Sequence, residues 1–430
     1  MPQSLRTVLI HTPCYELQDD RLEPPLGLLY IATWLNCHGF ITQIVDLSST
    51  AAPNWMSQIP PADVYGFSTY TPTYHRTLDI KAQLHQIYPG ARFVAGGPHA
   101  TALPTAVSRD FDHVVVGEGE ASMLMLLLLL LRTLARGSTP PPTLTAPLIE
   151  DLDTLPYSDY ALVDVPSYHR IVDGNPSLSI LSSRGCPHQC VFCNSLVMGR
   201  AQKVRYRSAR HVVGEIVALK EQRRINAFRF QDDTFTLNRP RLREIARLLK
   251  PQGITYRCFG RVGQCTSEIT DLLYASGCRH ISFGVESGSP RLLARMVKHQ
   301  AVEQIRRGIG NAKASGLAVR VFLLVGFPGE TWQTIQETID LMLDLRPDEY
   351  SVYPVIPYPG TPLYNDPTKF GITRIDTDFS RYFQVARGRT TGYVFRTDAL
   401  SEMDIAAMRE ILIARLAPVI QWAGDSTRNR

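Results

Sequence analysis

The chain of 430 residues lacks several things that would place it quickly. It has no strong charge of one sign: 45 basic residues against 40 acidic give +5, too small and too scattered to build a nucleic-acid surface. It has no apolar run long enough to cross a bilayer. The greasiest stretch, Met123 to Leu131, spans about half of the roughly 20 residues that a membrane helix requires, and reads as a buried helix. Met1 and Pro2 lead almost directly into the strand-like Thr7 to Ile10, which leaves no room for a secretory leader, so a cytoplasmic location is expected. Cysteine is sparse, with eight in the whole chain. Three of these crowd into Cys186 to Cys193, unlike the spread-out, even-numbered pattern of a disulfide framework. No Gly-x-Gly-x-x-Gly fingerprint occupies the first strand-to-helix turn, which argues against a nicotinamide cofactor.

What remains is ordinary globular composition, 44% hydrophobic and 20% charged, in a chain long enough for two or three domains. Over residues 1–136, short β-branched runs (Thr7–Ile10, Thr42–Leu47, Asp63–Ser68, Arg92–Ala95, His113–Val116) alternate with helical patterns. This predicts an open parallel α/β sheet. Turns bearing Gly66, Gly96 and Gly97, and Gly117, Glu118 and Gly119 fall at predicted strand ends, where such sheets build ligand loops. The stretch Gly137 to Pro142 cannot sustain helix and marks a linker, taken to extend over 137–170, with Ile149 to Asp164 lying on the second domain.

Residues 171–364 repeat strand then helix six times. The strands are expected at Leu178–Ser183, Ala227–Gln231, Thr255–Gly260, His280–Val285, Val319–Val325 and Ser351–Ile356. Helices are expected at His211–Gln222, Arg241–Leu249, Glu268–Ala275, Val302–Ala314 and Thr331–Leu345. Six units predict a partial barrel. The rest, 365–430, reads as a cap ending in an amphipathic helix from Ser401 to Trp422.

Directly after the first barrel strand comes Cys186-Pro187-His188-Gln189-Cys190-Val191-Phe192-Cys193. Three thiolates in one loop can converge on one inorganic core. Iron-sulfur clusters normally take four cysteines, so three with no fourth nearby leave one iron open to an external ligand. Zinc is the alternative, with His188 as a fourth ligand, although structural zinc sites usually arrange their ligands as two separated pairs. The position at a strand's carboxyl end, where β/α barrels place active sites, favours the cluster.

This C-x3-C-x2-C loop, with an aromatic before its last cysteine, resembles the radical S-adenosylmethionine (radical SAM) superfamily. The resemblance implies a 4Fe-4S cluster on Cys186, Cys190 and Cys193 whose open iron is chelated by the methionine end of S-adenosylmethionine. Electron transfer into the sulfonium then releases a 5'-deoxyadenosyl radical. Later strand ends match in order. Asp232 and Asp233 stand where the family contacts the methionine amino group, in place of its usual Gly-Gly-Glu. Arg261 can pair with the methionine carboxylate. Glu286, in Phe283-Gly284-Val285-Glu286-Ser287-Gly288, takes the ribose position, and Gly326 to Glu330 resembles the adenine-side motif. Pro357 to Leu363 borders the substrate.

Residues 6–136 resemble the cobalamin-binding domain of one subgroup, through Pro24-Pro25-Leu26-Gly27, Gly96 to Thr101 and Gly117 to Glu120. Ser68, Thr69 and Thr71 join Gly96, Gly97, Gly117 and Glu118 as residues expected to face the corrin. The Asp-x-His-x-x-Gly motif that supplies a cobalt ligand in methionine-synthase-like proteins is absent, and His99 is as well suited to holding its turn as to cobalt. The fold expected is therefore a doubly wound, Rossmann- or flavodoxin-like sheet, then a partial (β/α)6 barrel and a short helical extension. The function implied is cobalamin-dependent methylation of an unactivated carbon in a small natural-product intermediate. Radical dehydration, rearrangement or cyclisation is the alternative, and a methylthiotransferase-like modification of transfer RNA is a second. The second lacks its usual extra cysteines and β-barrel tail, so no nucleic-acid or membrane partner is expected. An external electron donor such as flavodoxin or ferredoxin is. Cys258, Cys265 and Cys278 read as packed thiols.

Overall fold

A computed structural model describes residues 5–136, 140–198, 203–384 and 392–422. It divides into two compact units, the first essentially Met1–Tyr168 and the second the remainder apart from Val197–Gly199 and Asp378–Ser380, which group with the first.

The first unit is a six-stranded parallel sheet. Its strands are β1 (Arg6–His11), β2 (Ile41–Asp46), β3 (Val64–Ser68), β4 (Arg92–Gly96), β5 (His113–Val115) and β6 (Thr143–Leu144), in the order β2-β1-β3-β4-β5-β6. Alternating side chains feed two cores. Val8, Ile10, Tyr65 and Phe67 pack on one face, and Leu9, Val64, Val94 and Val115 on the other. The greasy run belongs to a helix, Gly119–Arg136, that lays Met123, Leu126, Leu127 and Leu130 on the second face. No helix among the described residues is long and apolar enough to cross a membrane. Order reverses between β1 and β3, so the carboxyl ends of those strands flank the switch point where open α/β sheets take ligands.

Two expectations need correction here. The span 137–170 was expected to be linker throughout; Gly137 to Thr139 lie outside the described residues, but Thr143–Leu144 pairs in parallel with β5. The connector expected on the second domain groups with the first: Ala146 N donates to Ser122 Oγ and Asp159 N to Thr33 Oγ1, both at 3.0 Å. A lone proline-containing segment has too little periodicity to reveal which core its few apolar residues join.

The second unit carries a curled sheet of six parallel strands. These are β8 (Asn175–Ile180), β11 (Ala227–Phe230), β12 (Thr255–Gly260), β13 (Cys278–Glu286), β14 (Ala318–Val325) and β15 (Glu349–Pro354). The short β7 (Ile171–Val172) pairs antiparallel with β8, and β18 (Gln421–Trp422) adds in parallel beyond β15. A further antiparallel pair, β9 (Ser183–Arg184) with β10 (Arg205–Tyr206), leads into the cysteine loop. Helices 209–223, 239–249, 267–275, 302–314 and 332–345 fall where apolar spacing predicted them. The tail differs. Its helix stops at Leu416 before β18, and an antiparallel pair, β16 (Ile372–Ile375) with β17 (Phe395–Thr397), precedes it.

Candidate active site

Gly185, at φ +99°, turns the chain out of β9 into Cys186. Val191 anchors the loop in a hydrophobic cluster with Leu292, Met296 and Leu363, while its N–H donates to Met296 O at 3.1 Å and its carbonyl accepts from Leu363 N at 3.3 Å. The loop closes on itself through Cys193 N to Cys190 O, 2.9 Å. Cys190 is buried and its two partners are half-buried. Burial, then the neighbouring thiols and Asp233, raises the Cys186 pKa; burial also raises that of Cys190, against the opposing pull of Lys298. The three sulfurs therefore share one electrostatic neighbourhood. Yet no three His, Cys, Asp or Glu side chains among the described residues close on a single-ion site. Three cysteine thiols in one loop are the donor type that iron-sulfur clusters use.

Around this loop the strand ends bring together most of the expected side chains and one that the sequence reading passed over. Asp233 accepts from Ser195 Oγ at 2.9 Å, within the cysteine loop's own turn, and keeps acceptor capacity. Asp232 is committed inward. It accepts from Ser182 N (2.7 Å), Ser182 Oγ (2.6 Å) and Ser183 Oγ (2.5 Å), and its carboxyl pKa is raised by burial. That carboxylate braces β9 ahead of Cys186. Arg261 donates to the carbonyls of Lys298 and His299, and so holds the segment Val297–Lys298–His299, whose first and last residues adopt left-handed backbone at φ +52° and +48°. Such backbone costs of order 1–3 kcal/mol at each non-glycine residue and persists where surrounding structure fixes it.

The residue so presented is Lys298, which no strand-end motif announced. Its Nζ donates to Glu286 Oε1 at 2.7 Å and lies 6.0 Å from the Phe192 ring of the cysteine loop. Glu286 itself has φ +66°. His188 has its pKa lowered to about 4, first by burial and then by the nearby charges of Arg261 and Lys298. It stays neutral near pH 7 and adds no charge.

Gly326 (φ +83°) packs against the tail helix, where a Cβ would come 2.6 Å from Ile405 Cγ2. Glu330 closes this turn by accepting from Gly326 N, and complete burial raises its pKa to about 8. Its carboxyl is therefore a turn element, contacting backbone.

In the first unit, Ser68 ends β3 half-buried, and Thr69 is spent on the chain: its Oγ1 donates to Gly96 O (2.7 Å) and accepts from Ala100 N (3.1 Å). Gly97, at φ +92°, sits with its missing Cβ 3.0 Å from both Thr69 N and Thr69 O. Gly117 (φ +82°) donates its N–H to Thr101 Oγ1 at 3.0 Å, and a Cβ there would meet nothing within 4 Å. Glu118 follows it, its carbonyl accepting from Ser122 Oγ at 3.0 Å. Gly97 and Gly117 thus place left-handed glycine backbone just beyond the ends of two adjacent strands, β4 and β5. His99 is buried, its Nδ1 3.1 Å from Thr71 Oγ1 and its ring tilted at 35° against Tyr74, 4.3 Å between centres; burial lowers its pKa to about 4.

Residues 180–342 match the radical SAM superfamily and residues 21–127 the B12 binding domain. An uncharacterized methyltransferase of Pyrococcus horikoshii is 30% identical over 79% of this chain and 78% of its own length. The chain belongs to the radical SAM superfamily. The anaerobic magnesium-protoporphyrin IX monomethyl ester cyclase of Rubrivivax gelatinosus is 27% identical over 80% of this chain and 66% of that protein. Among solved structures, the radical S-adenosylmethionine methyltransferase TsrM from Kitasatospora setae, with cobalamin and a 4Fe-4S cluster bound, superposes with a TM-score of 0.68 at 18% identity, covering 97% of this chain and 89% of TsrM. This likeness confirms the two-part fold. The protein is thus a radical SAM enzyme with a B12-binding domain, and its cofactors are those of the two matched domains: a 4Fe-4S cluster, S-adenosylmethionine and cobalamin.

Proposed function

We propose that this radical SAM enzyme transfers a methyl group to an unactivated carbon of a small natural-product intermediate. The observation that carries this reading is the likeness to an uncharacterized methyltransferase along most of both chains, in a chain that also matches the B12 binding domain. When bound, the cluster supplies an electron to the sulfonium of S-adenosylmethionine and the cobalamin supplies a methyl carrier.

Cys186, Cys190 and Cys193 hold the cluster. Asp233 accepts from the ammonium of the methionine moiety, since Asp232 is saturated by Ser182 and Ser183. Lys298 places a cation at the methionine carboxylate with two of its three N–H donors beyond the one given to Glu286. Arg261 fixes that lysine's own carbonyl and the one that follows it, and adds its own charge. Glu286 offers its second oxygen to the ribose, and the Gly326 turn, shaped by Glu330, lies along the adenine. Ser68, Gly96, Gly97, Gly117 and Glu118 form the corrin edge, with Thr69 buttressing it from behind. A flavodoxin or ferredoxin supplies the electron.

The cyclase relative favours a second reading, radical cyclisation without methyl transfer. Anaerobic reconstitution with deuteromethyl S-adenosylmethionine separates the two. S-adenosylhomocysteine together with 5'-deoxyadenosine and a deuteromethylated product supports methylation. 5'-Deoxyadenosine without S-adenosylhomocysteine sinks it in favour of cyclisation. Zinc in place of iron would overturn both.

A further inference from the structure

Below the strand ends, the inward face of the curled sheet is lined by cations. Parallel register sets Arg229 beside Arg257, Arg257 beside His280, Ser282 beside Arg320, and Arg320 beside Glu349. Residues in register share a face, and the alternate residues Phe228, Tyr256, Ile281, Phe283 and Val321 point the other way into the helix-packed core. Two residues further along the same inward face, Phe259, Phe322 and Tyr353 stack at 6.2 and 6.0 Å between ring centres. This aromatic layer separates the arginines from Arg261 and Glu286, two residues beyond Phe259 and Gly284. The cationic layer is therefore distinct from the nucleotide end of the barrel.

Its charges are deeply buried: Arg229, Arg257 and Arg320 are 5%, 3% and 2% exposed. Arg257 Nη2 donates to Ser282 Oγ (3.1 Å) and Arg320 Nη2 to Ser351 Oγ (2.7 Å). Among the described residues, Arg257 Nη1 and Arg320 Nε find no hydrogen-bond partner. The facing carboxylate, Glu349, lies 4.0 Å from Arg320 Nε and 3.5 Å from His280 Nε2. Arg170 adds further positive charge near Arg257. Burial first, and then the neighbouring guanidiniums, lowers the Arg257 pKa to about 9, which still leaves a cation at neutral pH. Buried charge is retained where it is paired, and the inward N–H groups of Arg257 and Arg320 point to what pairs it here.

We propose that the half-barrel interior binds a small inorganic anion of halide size between Arg257 and Arg320. The chemistry is that of clustered guanidinium donors around an acceptor without directional lone pairs, and two serine hydroxyls at hand complete the shell. Near-total burial excludes an organic ligand. The ion offsets the cationic layer and so allows polar side chains to fill the barrel beneath the radical chemistry.

The test uses the full chain with its cofactors in place. Crystals grown with bromide in place of chloride should show an anomalous peak in contact with Arg257 and Arg320. In solution, exchanging chloride for gluconate at constant ionic strength should lower the thermal midpoint, and chloride or bromide should restore it saturably. Arg257→Met and, separately, Arg320→Met should weaken that halide response at least tenfold. Bromide peaks confined to the surface, an adventitious ion only, would overturn the proposal. So would a halide response unchanged in both variants, or saturation by sulfate alone. Should neither variant fold, the bromide peak in the native protein decides.

Discussion

Lys298 Nζ bonds to Glu286 Oε1 at 2.7 Å directly above Gly284, where a Cβ would lie 2.3 Å from that oxygen and 2.8 Å from the lysine nitrogen. The glycine is what lets the pair fold back over its own strand. Both side chains are about nine-tenths buried, so removing one partner strands the other's charge, at a cost of about 3–5 kcal/mol.

Lys298→Met should therefore lower both stability and nucleotide affinity. A charge-assisted hydrogen bond is worth about 1.5–3 kcal/mol, so S-adenosylmethionine should bind roughly tenfold to a hundredfold more weakly. Pairing it with Glu286→Gln should recover much of the stability and none of the affinity. Calorimetric titration and thermal melting separate these effects; affinity that returned with stability would make Lys298 purely structural. Gly284→Ala, which displaces only flexible side-chain ends, should fold and weaken nucleotide binding through the displaced pair.

The adjacent acids should behave oppositely. Asp232→Ala leaves three buried donors of Ser182 and Ser183 without their acceptor, and each such group costs about 1–3 kcal/mol. It should melt early and retain iron poorly. Asp233→Ala should change stability by less than about 0.5 kcal/mol, as exposed substitutions do, while weakening S-adenosylmethionine binding. Iron content and binding isotherms for both variants check this, and the reverse pattern would return the ammonium role to Asp232.

What the sequence displayed and what it concealed have physical causes. All six barrel strands and the cysteine loop were legible, because strand alternation and local spacing are written within a few residues. Roles that depend on which way a side chain turns were not. Asp232 and Asp233 are adjacent in the chain yet sit on opposite sides of β11's end, one saturated by serines and one beside the cysteines. Lys298 was concealed because it reaches the site through a loop of left-handed residues, Val297 and His299, that no propensity rule anticipates. Thr69 was assigned to ligand from its hydroxyl alone, whereas its hydroxyl is spent on Gly96 and Ala100. The buried arginines lay in plain view as alternate residues of predicted strands, but their convergence needs the parallel register.

Gly97→Ala tests the corrin edge. At φ +92°, with Thr69 backbone 3.0 Å from the added carbon, it should cost about 1–3 kcal/mol and push Thr69 and Ser68 out of line. Bound cobalamin, read from corrin absorbance after desalting, should fall sharply while iron content holds. Gly90→Ala, where a Cβ meets nothing within 4 Å, is the control and should retain both. Equal corrin in the two variants would remove the Gly96–Gly97 turn from the cofactor edge.

Glu330 makes a prediction about pH. Its folded-state pKa of about 8 lies above the ordinary 4.5, so between those values the folded chain holds a proton that the unfolded chain has lost. Its contribution to stability is thus fully present below pH 4.5 and is lost as pH rises through about 8, with a slope of at most about 1.4 kcal/mol per pH unit. Glu330→Gln keeps an acceptor for the Gly326 N–H and removes the titration. Its denaturation midpoint should fall less steeply than that of the native protein between pH 5 and pH 8 (about 3 pH units), in urea titrations at fixed ionic strength. Parallel declines in the two proteins would assign the pH dependence to other buried acids, with Asp232, also raised by burial, next in line.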